Sequence, residues 1–207
     1  MIQNLLIAVA IFNLSIVVGY NIYFFKKLTG FKSQTTAFCK PLSIVICAKN
    51  EADNLKKFLA KVLEQDYPNF EVVVVNDQSQ DGTAAVLMNF EKSYPNLVVV
   101  TIDKHIKHWP GKKFALTLGI KTAKHEHLLL TDADCLPNSS NWAKQMSSNF
   151  NDAEIVLGYG GYQKRKGLLN KIIRFDTFNV AQQYLSYALA GFTYMGVGRN
   201  MAYKKSL

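Results

Sequence analysis

The sequence predicts an α/β protein with a mostly parallel sheet flanked by helices, preceded by one apolar helix. Three observations lead there. Short runs of branched apolar residues alternate with stretches of helical period, the order that winds a parallel sheet through right-handed crossovers. One such run, Leu128 to Leu130, stops on two carboxylates, Asp132 and Asp134. And residues 5–25 carry no charged side chain.

The uncharged stretch comes first. As a helix its 21 residues reach about 31 Å, enough to cross a bilayer. Asn13, Ser15 and Asn21 weaken it, and a buried core helix is the alternative. No basic start and no small-x-small site marks a cleaved signal peptide. Lys26, Lys27 and Lys32 follow directly. The positive-inside rule therefore predicts a single pass through the cell membrane, with the rest of the chain on the cytoplasmic side. Tyr20, Tyr23, Phe24 and Phe25 are expected near the inner interface. Residues 1–32 read as anchor and flank, 33–40 as a polar linker and 41–207 as one domain.

From residue 41 the pattern is regular. Residues 42–48 are β-rich and apolar, the first strand. Residues 50–53 offer helix-capping chemistry, and Leu55, Phe58, Leu59, Val62 and Leu63 follow at helical spacing. Residues 70–75 form a second strand ending on Asn76-Asp77-Gln78-Ser79. A turn, Gln80-Asp81-Gly82-Thr83, leads into a helix with Val86, Leu87 and Phe90 on one face. Residues 97–102 make a third strand, 112–124 a third helix, and the leucine run a fourth strand. Three leucines in a row fit a strand buried on both faces, so Asp132 and Asp134 are expected just past its C-terminal end. Residues 139–150 read as a helix, 154–157 as a strand, 158–167 as a Gly/Tyr/Lys-rich loop and 168–189 as a long helix. That helix has a broad apolar surface suited to the sheet or to a membrane. Beyond residue 196 no terminal element is predicted, and the sequence reads as truncated.

Composition narrows the partners. The net charge is +9, from 24 basic and 15 acidic residues, which favours a polyanion: a nucleotide phosphate, an anionic membrane face or nucleic acid. Without a basic arm or an RNA-binding aromatic motif, nucleic acid ranks last. Cys39, Cys47 and Cys135 are odd in number and far apart, which suits a reducing compartment. Cys47 lies in an apolar run and reads as a small core residue.

Four features fall at the C-terminal ends of strands, the edge where open α/β sheets bind ligands. They are Ala48-Lys49-Asn50-Glu51, Asp77, Gly111-Lys112, and the pair Asp132 and Asp134. Two carboxylates two residues apart suit a hard divalent cation whose other ligands are waters and phosphate oxygens. A lysine at a helix N-terminus suits a diphosphate. Asp77 is a good acceptor for a base N–H or a ribose hydroxyl. Each has a plainer alternative: Glu51 as a helix cap, Asp77 and the Asp pair as turn residues, Lys112 as part of a solvated face. The joint placement favours a site. Neither G-x-G-x-x-G after the first strand nor G-x-x-x-x-G-K-[ST] is present. His105, His108, His125 and His127 do not read as a metal site.

The stretches PLSIVICAKNE (41–51), VVVVNDQSQDGT (72–83), GKKFALTLGIKTA (111–123) and LLLTDADCLP (128–137) together resemble a family 2 glycosyltransferase of the GT-A fold. The resemblance runs from residue 41 to about 205. It implies a nucleotide-sugar donor, often a UDP-sugar, and Mg²⁺ or Mn²⁺. By that resemblance Ala48 and Glu51 line the nucleoside pocket and Asp77 binds the base or ribose. Lys112 faces the diphosphate, Asp132 touches the ribose or sugar, and Asp134 ligates the metal. It further implies inverting transfer to an envelope polysaccharide or lipid-linked acceptor. The family's general base usually lies in an acidic pair past the segment that ends here, so the base is expected beyond Leu207. Asp152, Glu154 and Asp176 have no matching context. A non-catalytic GT-A-like protein that binds nucleotide or a membrane partner therefore stays open.

Overall fold

Short valine, isoleucine and leucine runs bounded by turn residues suit central strands, and the chain uses them so. The computed structural model describes residues 2–32, 38, 40–103, 105 and 111–207. Residues 33–37 and Cys39 of the expected linker lie outside the described residues, as does His108. The elements run α1 (Ile2–Thr29), β1 (Leu42–Ala48), α2 (Ala52–Leu63), β2 (Phe70–Asn76), α3 (Thr83–Ser93) and β3 (Leu97–Thr101). Then come α4 (Lys113–Thr122), β4 (His127–Asp132), α5 (Trp142–Ser147), β5 (Ile155–Leu157), α6 (Leu168–Leu189) and β6 (Met201–Lys204). They group into two compact units, Met1–Lys32 with Tyr159–Gly196, and Ser33–Gly158 with Val197–Leu207.

The second unit holds a six-stranded sheet in the order β3-β2-β1-β4-β6-β5. β3, β2, β1 and β4 pair in parallel. On one face Ile44, Ile46, Val72, Val74 and Leu129 pack against Leu55, Leu59 and Val62 of α2, Val86 and Leu87 of α3, and Met146 of α5. On the other, Val45, Val73, Leu128 and Leu130 meet Leu116 and Ile120 of α4. A Cβ at Gly119 of α4 would stand 2.7 Å from Val45 Cγ1 and 3.0 Å from Val75 Cγ2. The bare glycine lets that helix sit close to the sheet.

Four details differ from the sequence reading. β6 was not expected: it pairs antiparallel with both β4 and β5, joining two strands far apart in the chain. β4 runs through Asp132 rather than ending before it, so Asp132 is the last strand residue and Asp134 alone lies beyond. The helix expected over 139–150 is α5 followed by a 3₁₀ turn, Ser148–Asn151. The capping groups of α2 come from another loop: Asp81 Oδ2 accepts from Ala52 N–H at 3.1 Å and Thr83 Oγ1 from Glu51 N–H at 2.9 Å.

A buried polar cluster closes the N-terminal end of the sheet. Glu71 Oε1 accepts from Ser43 Oγ at 2.7 Å and from Lys124 N–H at 2.6 Å, and Ser43 Oγ accepts from His125 N–H at 3.2 Å. Beside it, His127 packs edge-on to Phe38 and Phe150, with ring centroids 4.8 and 4.9 Å away.

The first unit holds α1 and α6. α1 is long and apolar enough to cross a membrane, and none of its described residues is buried. Three polar side chains within the apolar stretch are satisfied by the helix itself: Asn13, Ser15 and Asn21 donate to the carbonyls of Val9, Ile11 and Val17 at 2.9, 2.8 and 2.7 Å. Such back-bonding is what an apolar environment demands of a polar side chain. Phe24 of α1 stacks on Tyr187 of α6 at 4.3 Å.

Candidate functional site

Parallel pairing brings the C-terminal ends of three strands to one edge. Ala48 pairs with Asn76, and Cys47 with Asp132. What leaves those ends must therefore meet. Asp77 is buried directly after β2; its N–H donates to the Ala48 carbonyl at 2.8 Å. Lys49 Nζ lies 3.5 Å from Asp77 Oδ2. Lys112, at the start of α4 behind the left-handed Gly111 (φ 103°), pairs with Asp132 Oδ1. The Lys112 and Asp132 side chains are 46% and 34% exposed, so the pair faces solvent and is weak.

Asp134 is exposed on the turn after β4, a turn closed by the Cys135 N–H to the Asp132 carbonyl at 3.1 Å. Asp132, Asp134 and Cys135 each offer a ligand atom, all within 4.8 Å of one another. Burial pushes the Cys135 thiol up from its ordinary value. Asp132 and Asp134 are the oxygen donors of this group that could hold a cation. Such oxygens fit a hard divalent ion such as Mg²⁺ or Mn²⁺ better than a soft one. Cys47, half-buried against Val75, Ile102 and Ala115, is pushed up to about 11 by burial; the Lys112 charge opposes this and Asp132 and Asp77 add to it. It is an inert thiol beside the carboxylates.

The predicted residues are not all used alike. Ala48 buries its methyl in the core and presents only its backbone to the edge. Glu51 is turned along α2, where Oε2 accepts from Asn54 Nδ2 at 2.6 Å. Ala48, Asp77, Lys112 and Asp132 gather along one edge, with Asp134 one turn further on. Among the described residues the cluster of possible metal ligands includes no histidine, and His127 is in the aromatic pocket at the opposite end.

Sequence reasoning passed over the clasp between the loops after β1 and β2. Asn50 N–H donates to Ser79 Oγ at 2.9 Å, and Gln80 N–H donates to Asn50 Oδ1 at 2.8 Å. Asn50 and Gln78 both hold positive φ, 57° and 53°, in the left-handed region that costs a side-chain-bearing residue energy. Lys49, Asn50, Gln78 and Gln80 line an open cavity of about 280 Å³. The signal was present in Asp81-Gly82-Thr83, which reads as turn chemistry until Asp81 and Thr83 are seen to bind the start of α2.

Comparison with known proteins gives the fold and the family. The Haloferax volcanii glycosyltransferase AglE is 32% identical over 124 residues, 59% of this chain and 39% of AglE. The poly-beta-1,6-N-acetyl-D-glucosamine synthase of Staphylococcus epidermidis is 33% identical over 93 residues, 45% of this chain and 21% of the synthase. The chain thus spans at most about two-fifths of the length of these curated relatives. Among solved structures, the mannosyltransferase PcManGT from Pyrobaculum calidifontis, in complex with GDP-Man and Mn²⁺, superposes with a TM-score of 0.65 at 22% identity. It covers 96% of this chain and 55% of its own. Residues 1–349 of S. aureus TarS in complex with UDP-GlcNAc give 0.51 at 24% identity, covering 62% of this chain and 37% of their own. These likenesses identify the sheet as that of the GT-A fold. Residues 43–207 match the family model of glycosyl transferase family 2, and the chain belongs to that family.

Proposed function

We propose that this chain binds a nucleotide-diphosphate sugar, foremost a UDP-sugar, together with Mg²⁺ or Mn²⁺, as the donor part of a membrane-anchored transferase. One observation carries the reading: Asp77, Lys112, Asp132 and Asp134 leave neighbouring strand ends and α4 along a single sheet edge. Asp77 accepts from the base or ribose, in a nucleoside pocket flanked by the Ala48 backbone and Glu51. The cavity at Lys49, Asn50, Gln78 and Gln80 is its open side. Lys112 turns from Asp132 to the diphosphate, because a half-exposed ammonium exchanges partners at little cost. Asp132 then meets the ribose or sugar. Asp134 holds the cation, which when bound neutralises charge on the departing diphosphate.

The reaction is a displacement with inversion. The acceptor oxygen bonds to the anomeric carbon as the bond to the diphosphate breaks, and a carboxylate takes the acceptor's proton. None of residues 1–207 is assigned that proton. In this reading residues 1–32 anchor the protein, 33–40 link and 41–207 form the transferase domain on the cytoplasmic side. The acceptor is an envelope polysaccharide or a lipid-linked glycan; the polysaccharide synthase among the relatives supports the first, and α1 supports an acceptor at the membrane.

Calorimetric titration of UDP and GDP into the full chain, with and without Mn²⁺, tests the donor site. Metal-dependent binding that Asp134→Asn weakens about fivefold or more, roughly 1 kcal/mol, is expected. A folded chain that binds neither nucleotide overturns it. Binding without transfer to any acceptor favours the non-catalytic reading.

A further inference from the structure

The first half of α6 is apolar and in the open. Leu168, Leu169 and Phe175 are 72%, 71% and 71% exposed, whereas Ala181 and Tyr184 in the second half are buried. Leu168, Ile172 and Phe175 recur at i, i+4 and i+7, so they form one stripe along the helix. Water is a poor neighbour for such a stripe, and its size sets it apart from scattered surface leucines.

Charge says what belongs there. Lys164, Arg165, Lys166, Lys171 and Arg174 lie in this half and the loop before it, against one acid, Asp176. None of the five has an ion pair among the described residues. The loop is tied to the helix start: Arg165 N–H donates to Asn170 Oδ1 at 2.8 Å, and Asn170 Nδ2 donates to the Gln163 carbonyl at 3.2 Å. The basic groups are thereby held next to the apolar stripe.

The far end of α6 gives the level. Tyr187 stacks on Phe24 of α1, with Tyr20, Phe192 and Tyr194 around the pair. Lys26 and Lys27 follow within the same end of α1. Aromatic rings and lysines at one end of an apolar span are the usual marks of a membrane–water boundary. α6, about 33 Å long at its 22 residues, reaches that boundary with its C-terminal end.

We propose that α6 is a second membrane contact, lying on an anionic lipid surface. Leu168, Leu169, Ile172 and Phe175 enter the acyl boundary, and the five basic groups meet lipid phosphates. The inference rests on the membrane reading of α1 for its level only.

The test uses the full chain in vesicles of phosphatidylcholine with or without phosphatidylglycerol. Flotation reports α1 insertion in the neutral vesicles. The Phe175→Trp variant reports α6, its added emission read above the background of Trp109 and Trp142. Quenching of that emission by lipids brominated on the acyl chain is expected in the anionic vesicles. Replacing Lys164, Arg165 and Lys166 by Gln should lower it about twofold or more. Flotation with the added emission open to acrylamide and untouched by bromolipid overturns the α6 proposal and leaves the anchor standing. Emission shielded from both quenchers overturns it in favour of a protein partner. Flotation only with phosphatidylglycerol, with bromolipid quenching, supports α6 and removes the anchor reading.

Discussion

The two ends of the sheet hold acidic side chains in opposite settings. At the N-terminal end Glu71 is buried; Oε1 is held by a hydroxyl and a backbone N–H that the fold itself positions, and the exposed Lys124 ammonium stands only at the looser distance of 3.8 Å from Oε2. At the C-terminal end Asp132 and Asp134 face solvent, and the partner of Asp132 is the half-exposed ammonium of Lys112. A carboxylate whose partners cannot leave contributes to folding. One whose partner is a flexible lysine can exchange it for a ligand. Asp77 stands between the two cases, buried but beside the exposed Lys49.

Four substitutions or conditions probe that contrast, in falling order of effect. Glu71→Ala strands the Ser43 hydroxyl and the Lys124 N–H in the interior. It should cost about 2–4 kcal/mol in denaturant unfolding; a loss below about 1 kcal/mol would merge the two ends into one class. Asp132→Asn should do the reverse, leaving the unfolding midpoint within about 0.5 kcal/mol while weakening UDP binding about tenfold, or 1.4 kcal/mol. A large stability loss there would make Lys112–Asp132 a structural pair.

Gly119→Ala tests the sheet between the two ends. Its methyl meets Val45 and Val75. Overpacking outweighs the helix propensity gained, for a net loss of about 1 kcal/mol by thermal or denaturant unfolding. An unchanged or raised midpoint would mean α4 moves away freely.

The smallest effect is in pH. Burial first, and then the Lys40 and Lys204 charges, hold the His127 imidazole below its ordinary 6.5, with Glu126 opposing. The unfolded chain takes up a proton on that histidine at a pH where the fold refuses it. Stability from this group is therefore full above about 6.5 and falls as the pH drops through and below that value. His127→Phe should flatten the unfolding midpoint between about pH 7 and 5. If the slope persists, another group carries it.

Much of this was legible in the residues because local chemistry repeats. The valine run at 72–75 and the leucine run at 128–130 have no polar face, so they had to be central strands. Helical spacing fixed α2, α3 and α6 to within a residue or two. The candidate site was legible for a topological reason: residues after parallel strands reach one edge whatever their distance in sequence.

The residues alone carry the elements as far as α6, the apolar first helix, the family motifs and the edge where the charged residues gather. The tertiary structure decided the rest, and in each case the cause is a partner far away in the chain. β6 is a strand because β4 and β5 supply its hydrogen bonds from about 45 to 75 residues earlier. Asp81 and Thr83 bind the start of α2 across the β1 and β2 loops. Glu51 turns to its own helix, while Lys112 finds Asp132. Periodicity records which face a residue takes; only the folded chain records which other residue it meets there.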